Sequence, residues 1–411
     1  MIFLKKILVG IIISLIIIIC GVIGGGVFID NLKEYPIIEG EFNESQVDNV
    51  SNGEEVPKED EPSKEEIPPK EENNNNIDEI ANLINSMSLE EKVGQMFMVR
   101  HPLDVSTASK YINEYHLGGY IMFARDFENR SKDEVITMIA TYQNISKIPM
   151  LIGVDEEGGT VNRISKYKKF RDTPFASPQE LYASGGFAGI KSDTLEKAEF
   201  LKSFGINVNF APVADVSTNP SDYIYKRSFG QNATLTSEYV STVVNAMNEA
   251  GIGSVLKHFP GYGNNLDTHT GISIDNRSLD SFRKNDFLPF EAGIKAGADI
   301  VLVSHNIITS VDADNPASLS KNIHEILRND LGFGGVIITD DLYMDAISSY
   351  LGNEDAAVKA VLAGNDLICT TDFESQIPAV IEAVKNGTIS EEQINESVYR
   401  ILKLKVKLDI I

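Results

Sequence analysis

Gly334-Gly335-Val336-Ile337-Ile338-Thr339-Asp340-Asp341 runs from two glycines, through a strand-length apolar stretch, into a pair of carboxylates. Nothing polar interrupts Val336 to Ile338, which is the mark of a strand covered on both faces, as in a parallel sheet flanked by helices. Seven other runs share the pattern. They lie near Gln95–Val99, Gly119–Phe123, Met150–Val154, Val208–Ala211, Ser254–Lys257, Ile300–Val303 and Asp366–Cys369. Helical-period stretches fall between most of them, among them Lys132 to Ile145, Thr194 to Phe204, Ser237 to Ala250 and Glu354 to Ala363. Eight such units predict an α/β fold, a (β/α)8 TIM-type barrel forming a single domain over residues 79–411.

In such barrels chemistry sits where the strands end. Polar residues follow the proposed strands consistently: Asp155-Glu156-Glu157-Gly158-Gly159 after the third, Lys257-His258-Phe259-Pro260-Gly261 after the fifth, Ser304-His305-Asn306 after the sixth, and Asp340-Asp341 after the seventh. Any one could be a capped turn. Four on one rim point to a polar active site.

The residues before the barrel differ in kind. Lys5 and Lys6 precede Ile7–Ile29, a stretch with no charge that includes Ile11–Ile19. A bilayer span needs about 20 apolar residues, and positive charge before it places the N-terminus inside. Residues 1–29 therefore read as a single-pass anchor, with the catalytic domain outside the cell. A cleaved signal peptide or a lipid anchor at Cys20 is the alternative, although the apolar run is long for the first and Ile19 is large for the second. Residues 30–78 carry 16 acidic residues against four lysines, with Asn73–Asn76 at the end. Such a composition forms no core and reads as a disordered tether.

The whole chain has 411 residues, net charge −24, two cysteines and six histidines. That balance excludes a nucleic-acid partner, which needs clustered Lys and Arg. Cys20 and Cys369 are too few for a disulfide framework. His258, His269 and His305 lie on different elements without ligand spacing, so no metal is expected. There is no phosphate-cradling glycine loop and no Gly-x-Ser-x-Gly, so neither a nucleotide cofactor nor a serine hydrolase is implied. Carboxylates, a Lys-His pair and arginines remain, a set suited to holding sugar hydroxyls.

Five ordered motifs now stand together: Val154-Asp-Glu-Glu-Gly-Gly-Thr-Val-Asn-Arg163, Lys226-Arg-Ser-Phe-Gly230, Lys257-His-Phe-Pro-Gly-Tyr-Gly263, Asp267-Thr-His269 and Ile338-Thr-Asp-Asp-Leu342. In that order they resemble the β-N-acetylglucosaminidase (β-N-acetylhexosaminidase) branch of glycoside hydrolase family 3. The resemblance implies a retaining exo-hydrolase without cofactors, removing terminal β-linked N-acetylglucosamine from glycans such as peptidoglycan fragments. By the same resemblance Asp340 is the nucleophile, His269 the general acid/base and Asp267 the residue that orients it. Asp155, Arg163, Arg227, Lys257 and His258 would hold the sugar. Asp341 is expected as a helix N-cap and His305 as structural. A monomer is expected.

The chain departs from the family pattern in three places. Tyr262 stands where a second histidine is common, Thr268 where serine is, and Asn264-Asn265-Leu266 is one residue shorter than usual. With no tryptophan, a sugar-stacking platform would fall to Tyr225 or Tyr262. Gly261, Gly263 and Gly271 would let the His269 loop move. No second α/β domain follows the barrel here, which favours this branch over β-glucosidase. A β-N-acetylglucosaminide phosphorylase, or a non-catalytic wall-binding module, remains an alternative on the same scaffold.

Overall fold

The computed structural model describes residues 74–265, 273–344, 347 and 353–411. The expected anchor over 1–29, the tether up to residue 73, and Asp267 and His269 lie outside these described residues. Among the described residues no helix is long and apolar enough to cross a membrane.

Among the described residues ten strands occur in chain order: β1 (Phe97–Arg100), β2 (Gly119–Met122), β3 (Leu151–Val154), β4 (Val208–Asn209), β5 (Gly253–Phe259), β6 (Ile274–Asp275), β7 (Ile300–Val303), β8 (Ile307–Ile308), β9 (Val336–Thr339) and β10 (Ile368–Thr370). Eight form one parallel sheet in the order β10-β1-β2-β3-β4-β5-β7-β9. A parallel bridge between Ile338 and Leu367 brings its two ends together. The result is the eight-stranded barrel that the apolar runs predict. β6 and β8 pair separately, and no sequence pattern had marked them.

Local chemistry sets the helix boundaries. Ser131 and Glu134 form a capping box ahead of Lys132–Ile145, and Ser177 and Glu180 do the same ahead of Pro178–Lys202. Gly251 takes the left-handed conformation that closes Ala233–Ala250. The first described helix, Asn74–Ser86, begins inside the range expected for the tether. Its Ile80 and Ile84 are buried, so packing overrides the poor propensity of the asparagine run. The strand expected from Gln95 starts at Phe97 instead, because Ser88 and Glu91 cap a helix that runs to Gln95. Inside the ring Gly153 is required, since a Cβ there would lie 2.5 Å from Met98 and 2.6 Å from Phe210.

One lysine is buried where the strands begin, on the face opposite their carboxyl ends. Lys405 Nζ donates to Gln95 Oε1 at 2.7 Å, and Gln95 Nε2 donates to the His116 carbonyl at 2.8 Å. Burial pushes the Lys405 ammonium down to about 7. Between that value and the unfolded value near 10.4 the unfolded chain holds a proton that the folded chain lacks. Stability therefore rises with pH across this window, and the full penalty stands below it. Lys405→Met should raise the melting temperature at pH 7, by the equivalent of about 2 kcal/mol once the unpaired Gln95 oxygen is counted. The gap from the parent should narrow as pH approaches 10. A gap that is constant across pH would contradict this account.

Candidate active site

The carboxyl ends of β3 and β5 meet in a compact ion cluster. Lys257, on β5, reaches two carboxylates that follow β3: Nζ lies 2.7 Å from Asp155 Oδ1 and 2.6 Å from Glu157 Oε1. Arg227, in the segment after β4, closes the other side of Glu157. Its Nε and Nη2 donate to Glu157 at 3.1 and 2.8 Å. Burial alone would raise the Glu157 carboxyl, but Lys257 and Arg227 outweigh it and hold that group well below the usual carboxylate range. Arg163 approaches Asp155 from the far side at 3.5 Å.

Local backbone makes this convergence possible. Gly158 has φ +96°, and a Cβ there would lie 2.2 Å from the Ala176 carbonyl. Only glycine fits this turn. It folds residues 157–161 into a short hairpin that carries Glu157 down and Arg163 back toward Asp155. Buried Glu156 fixes the return by accepting the backbone N–H groups of Arg163 and Ile164 at 2.9 and 2.8 Å.

His258 sits beside the cluster. Arg227 can only donate, so at 3.2 Å the His258 Nε2 accepts from it. The other nitrogen, Nδ1, then carries the proton and donates to Asp215 Oδ2 at 2.7 Å. The Lys257–His258 peptide is cis, and both side chains face the site. Asp215 also accepts the backbone N–H groups of His258 and Tyr262 at 3.0 and 2.7 Å. Sequence reasoning missed both Glu157 and Asp215. Glu157 stood in a quoted motif beside the assigned Asp155. Asp215 is the one charge in the apolar run Phe210–Val216, and a charge there has to be a buried, partnered group.

Asp340 leaves β9 with its N–H donating to the Val303 carbonyl at 3.0 Å. Its Oδ1 accepts from the Asp341 N–H at 2.9 Å. Among the described residues Asp341 accepts from Tyr343 N–H and Thr371 Oγ at 3.0 Å each, a local turn tied to the segment after β10. Burial, and to a lesser degree the neighbouring Asp340, raise its carboxyl. Buried His305 bonds Ser318 Oγ at 2.8 Å and the Asp341 carbonyl at 3.1 Å, a supporting position beneath the pair. Burial and then the charges of Asp341, Asp340 and Asp155 push the thiol of Cys369, on β10, well up.

Two expectations change. Tyr262 is fully buried against the His258 ring, with centroids 5.1 Å apart, so it cannot serve as an open stacking platform. Tyr225 is half-buried, and the exposed aromatic of this segment is Tyr223. Gly261 and Gly263 take positive φ, +117° and +53°, and both also sit in close contact. Cβ atoms there would lie 2.6 Å from Asp286 and from Arg277. Arg277 itself pairs with Asp275 at 2.7 Å and Asp286 at 2.9 Å. The stem of the segment that bears Asp267 and His269 is thus clamped.

Residues 88–404 match the glycosyl hydrolase family 3 N terminal domain. The chain belongs to glycosyl hydrolase family 3. It is 32% identical over 328 residues to beta-hexosaminidase A of Pseudoalteromonas piscicida, covering 73% of this chain and 55% of that one. It is 28% identical to beta-hexosaminidase LpqI of Mycobacterium tuberculosis, covering 78% and 83%. A family 3 beta-N-acetylglucosaminidase structure from a Paenibacillus species superposes with TM-score 0.75 at 33% identity, covering 79% of this chain and 63% of that one. The chain therefore spans little more than half of the first relative.

Within this family 3 barrel Glu157 is the keystone, because removing its charge leaves Lys257 and Arg227 sharing a buried site with Asp155 alone. Glu157→Gln should cost about 3–5 kcal/mol of stability. Its folded value lies below the unfolded one, so the parent's advantage is present above about pH 4.5 and fades as pH falls below that. Thermal melts of parent and variant at pH 7 and pH 4 check both points. An equal loss at the two pH values would sink the ion-cluster account.

Proposed function

We propose that this protein is a retaining exo-β-N-acetylglucosaminidase acting on terminal β-linked N-acetylglucosamine of glycans, peptidoglycan fragments among them. The observation that carries the reading is the placement of Asp340 at the end of β9, across the rim from Asp155 and Arg163, with a fixed bed of charge beneath. The family and its beta-hexosaminidase relatives supply the substrate class.

In this reading the Asp340 carboxylate attacks the anomeric carbon while His269 gives its proton to the leaving oxygen. A glycosyl-aspartate forms and the aglycone departs. Water then attacks the same carbon, His269 takes its proton, and the Asp340–sugar bond breaks. Two displacements return the original β configuration. Asp267 steadies the imidazolium between the steps. Asp155 and Arg163, the more open members of the cluster, meet the sugar hydroxyls. Lys257, Arg227 and His258 are already bonded to Asp155, Glu157 and Asp215, and they hold those groups in place. The N-terminal 29 residues anchor a monomer in the cell membrane, with the barrel outside on its acidic tether.

The test is the initial rate of release from a chromogenic β-N-acetylglucosaminide by the full chain in detergent, with the matching β-glucoside beside it. The N-acetyl substrate alone should turn over. Asp340→Asn should lower kcat at least about a thousandfold, and His269→Ala by about 10²–10⁴-fold. NMR of the first product should show the β anomer. Turnover that survives Asp340→Asn would remove the nucleophile assignment, and release from neither substrate would remove the exo-hydrolase reading.

A further inference from the structure

The rim between β1 and β3 holds more positive charge than the described chemistry uses. Arg100 ends β1 and Arg163 returns after β3, and both guanidinium groups stand over the ring of Phe123 at the end of β2, at 4.9 and 5.5 Å. Arg100 has no hydrogen bond or ion pair among the described residues. Its Nε is buried without a partner, while its two terminal nitrogens remain accessible. Arg163 is in similar condition: its Nε is buried and unpartnered, and its one carboxylate contact, Asp155 at 3.5 Å, is long. That carboxylate is already engaged by Lys257 at 2.7 Å. Two like charges are thus held on one aromatic ring, in a protein whose net charge is −24.

Buried polar groups fix this arrangement. His101 donates or accepts between Asp126 and Tyr142 at 2.9 Å on each side, and Asp126 accepts the Phe123 N–H at 2.7 Å. Phe123 is therefore pinned by its own backbone, and both guanidinium groups stand beside a fixed ring. Stacking on the ring leaves the N–H edges of a guanidinium free, and those edges match the oxygens of a carboxylate or phosphate. Two arginines beside one ring, each with N–H edges to spare, offer donors for an oxyanion.

We propose that this rim recognises an anionic group, a carboxylate or phosphate ester, carried by the terminal sugar of the glycan. The inference rests on the N-acetylglucosaminidase reading above and narrows its substrate. The terminal sugar is the carrier because Arg163 belongs both to this pair and, through Asp155, to the sugar-holding cluster. Asp340 leaves a different sector of the ring, separated from β1 by β10.

Calorimetric titration of the full chain tests this at constant ionic strength. The probes are N-acetylglucosamine, its 6-phosphate, N-acetylmuramic acid, which carries a 3-O-linked carboxylate, and inorganic phosphate alone. At least one anionic sugar should bind tenfold or more tightly than the neutral sugar, and added NaCl should shrink the difference. Arg100→Gln should reduce the preference below threefold, and Arg100→Lys should keep part of it. Melting curves confirm that each variant is folded. Equal binding of neutral and anionic sugars, or a preference that survives Arg100→Gln, overturns the proposal. Inorganic phosphate that binds in an Arg100-dependent way and yields sugar 1-phosphate from the chromogenic substrate would assign the rim to free phosphate instead, and also overturns it. If the parent hydrolyses the neutral chromogenic substrate but shows no anion preference, this proposal alone fails. If it hydrolyses nothing, the functional reading fails first.

Discussion

The Lys257 ammonium, shared between Asp155 and Glu157, is the interaction on which the rest of this site depends. Its side chain is 2% exposed and that of Glu157 is 3% exposed. Charges taken that far from water are tolerated only when each is paired and hydrogen-bonded. The pairing requirement then dictates backbone. The chain after β3 has to turn on Gly158 to bring Glu157 inward. The segment after β4 has to deliver Arg227. β5 has to present Lys257 and His258 together. Three connections of the barrel are thus fixed relative to one another by electrostatics as well as by core packing.

Exposure within the cluster divides its work. Lys257 and His258 lie at the bottom, with nearly all their polar capacity directed at protein carboxylates. Asp155 is 14% exposed and Arg163 is 32% exposed, so these are the groups a ligand meets. The deep cations set the charge and orientation of the shallow groups. The positions of these donors and acceptors are thus settled before any ligand arrives, which is the condition for electrostatic stabilisation without reorganisation.

Much of the fold was legible in the sequence because the strand signal here is strong. Continuous apolar runs such as Ile300–Val303 and Val336–Thr339 coincide with the strands found. The barrel follows from their number and spacing. Less of the site was legible. Asp155, Arg163, Arg227, Lys257 and His258 do converge, but the contacts of Arg227 with Glu157 and of His258 with Asp215 depend on which oxygen meets which nitrogen across 70 and 43 residues of chain. No local pattern encodes that. The buried Tyr262 was misread for a related reason, and the close contacts of Gly261 and Gly263 went unseen. An aromatic ring or a glycine has one meaning in isolation and another when Asp286, Arg277 or His258 occupies the space beside it.

The clamp also fixes the chain that leaves β5. Asp215 accepts the Tyr262 N–H with one oxygen and the His258 ring with the other. Asn265 donates to Asp275 at 2.5 Å, and Asp275 in turn binds Arg277. On the far side, β6 pairs with β8 directly after residue 273. The chain on both sides of residues 266–272 is therefore held, by buried charge on one side and by strand pairing on the other. The same carboxylate, Asp215, sets the tautomer of His258 and fixes the Tyr262 backbone four residues on. Through it, the ion cluster at the ends of β3 and β5 and the chain that leaves β5 share one mechanical reference.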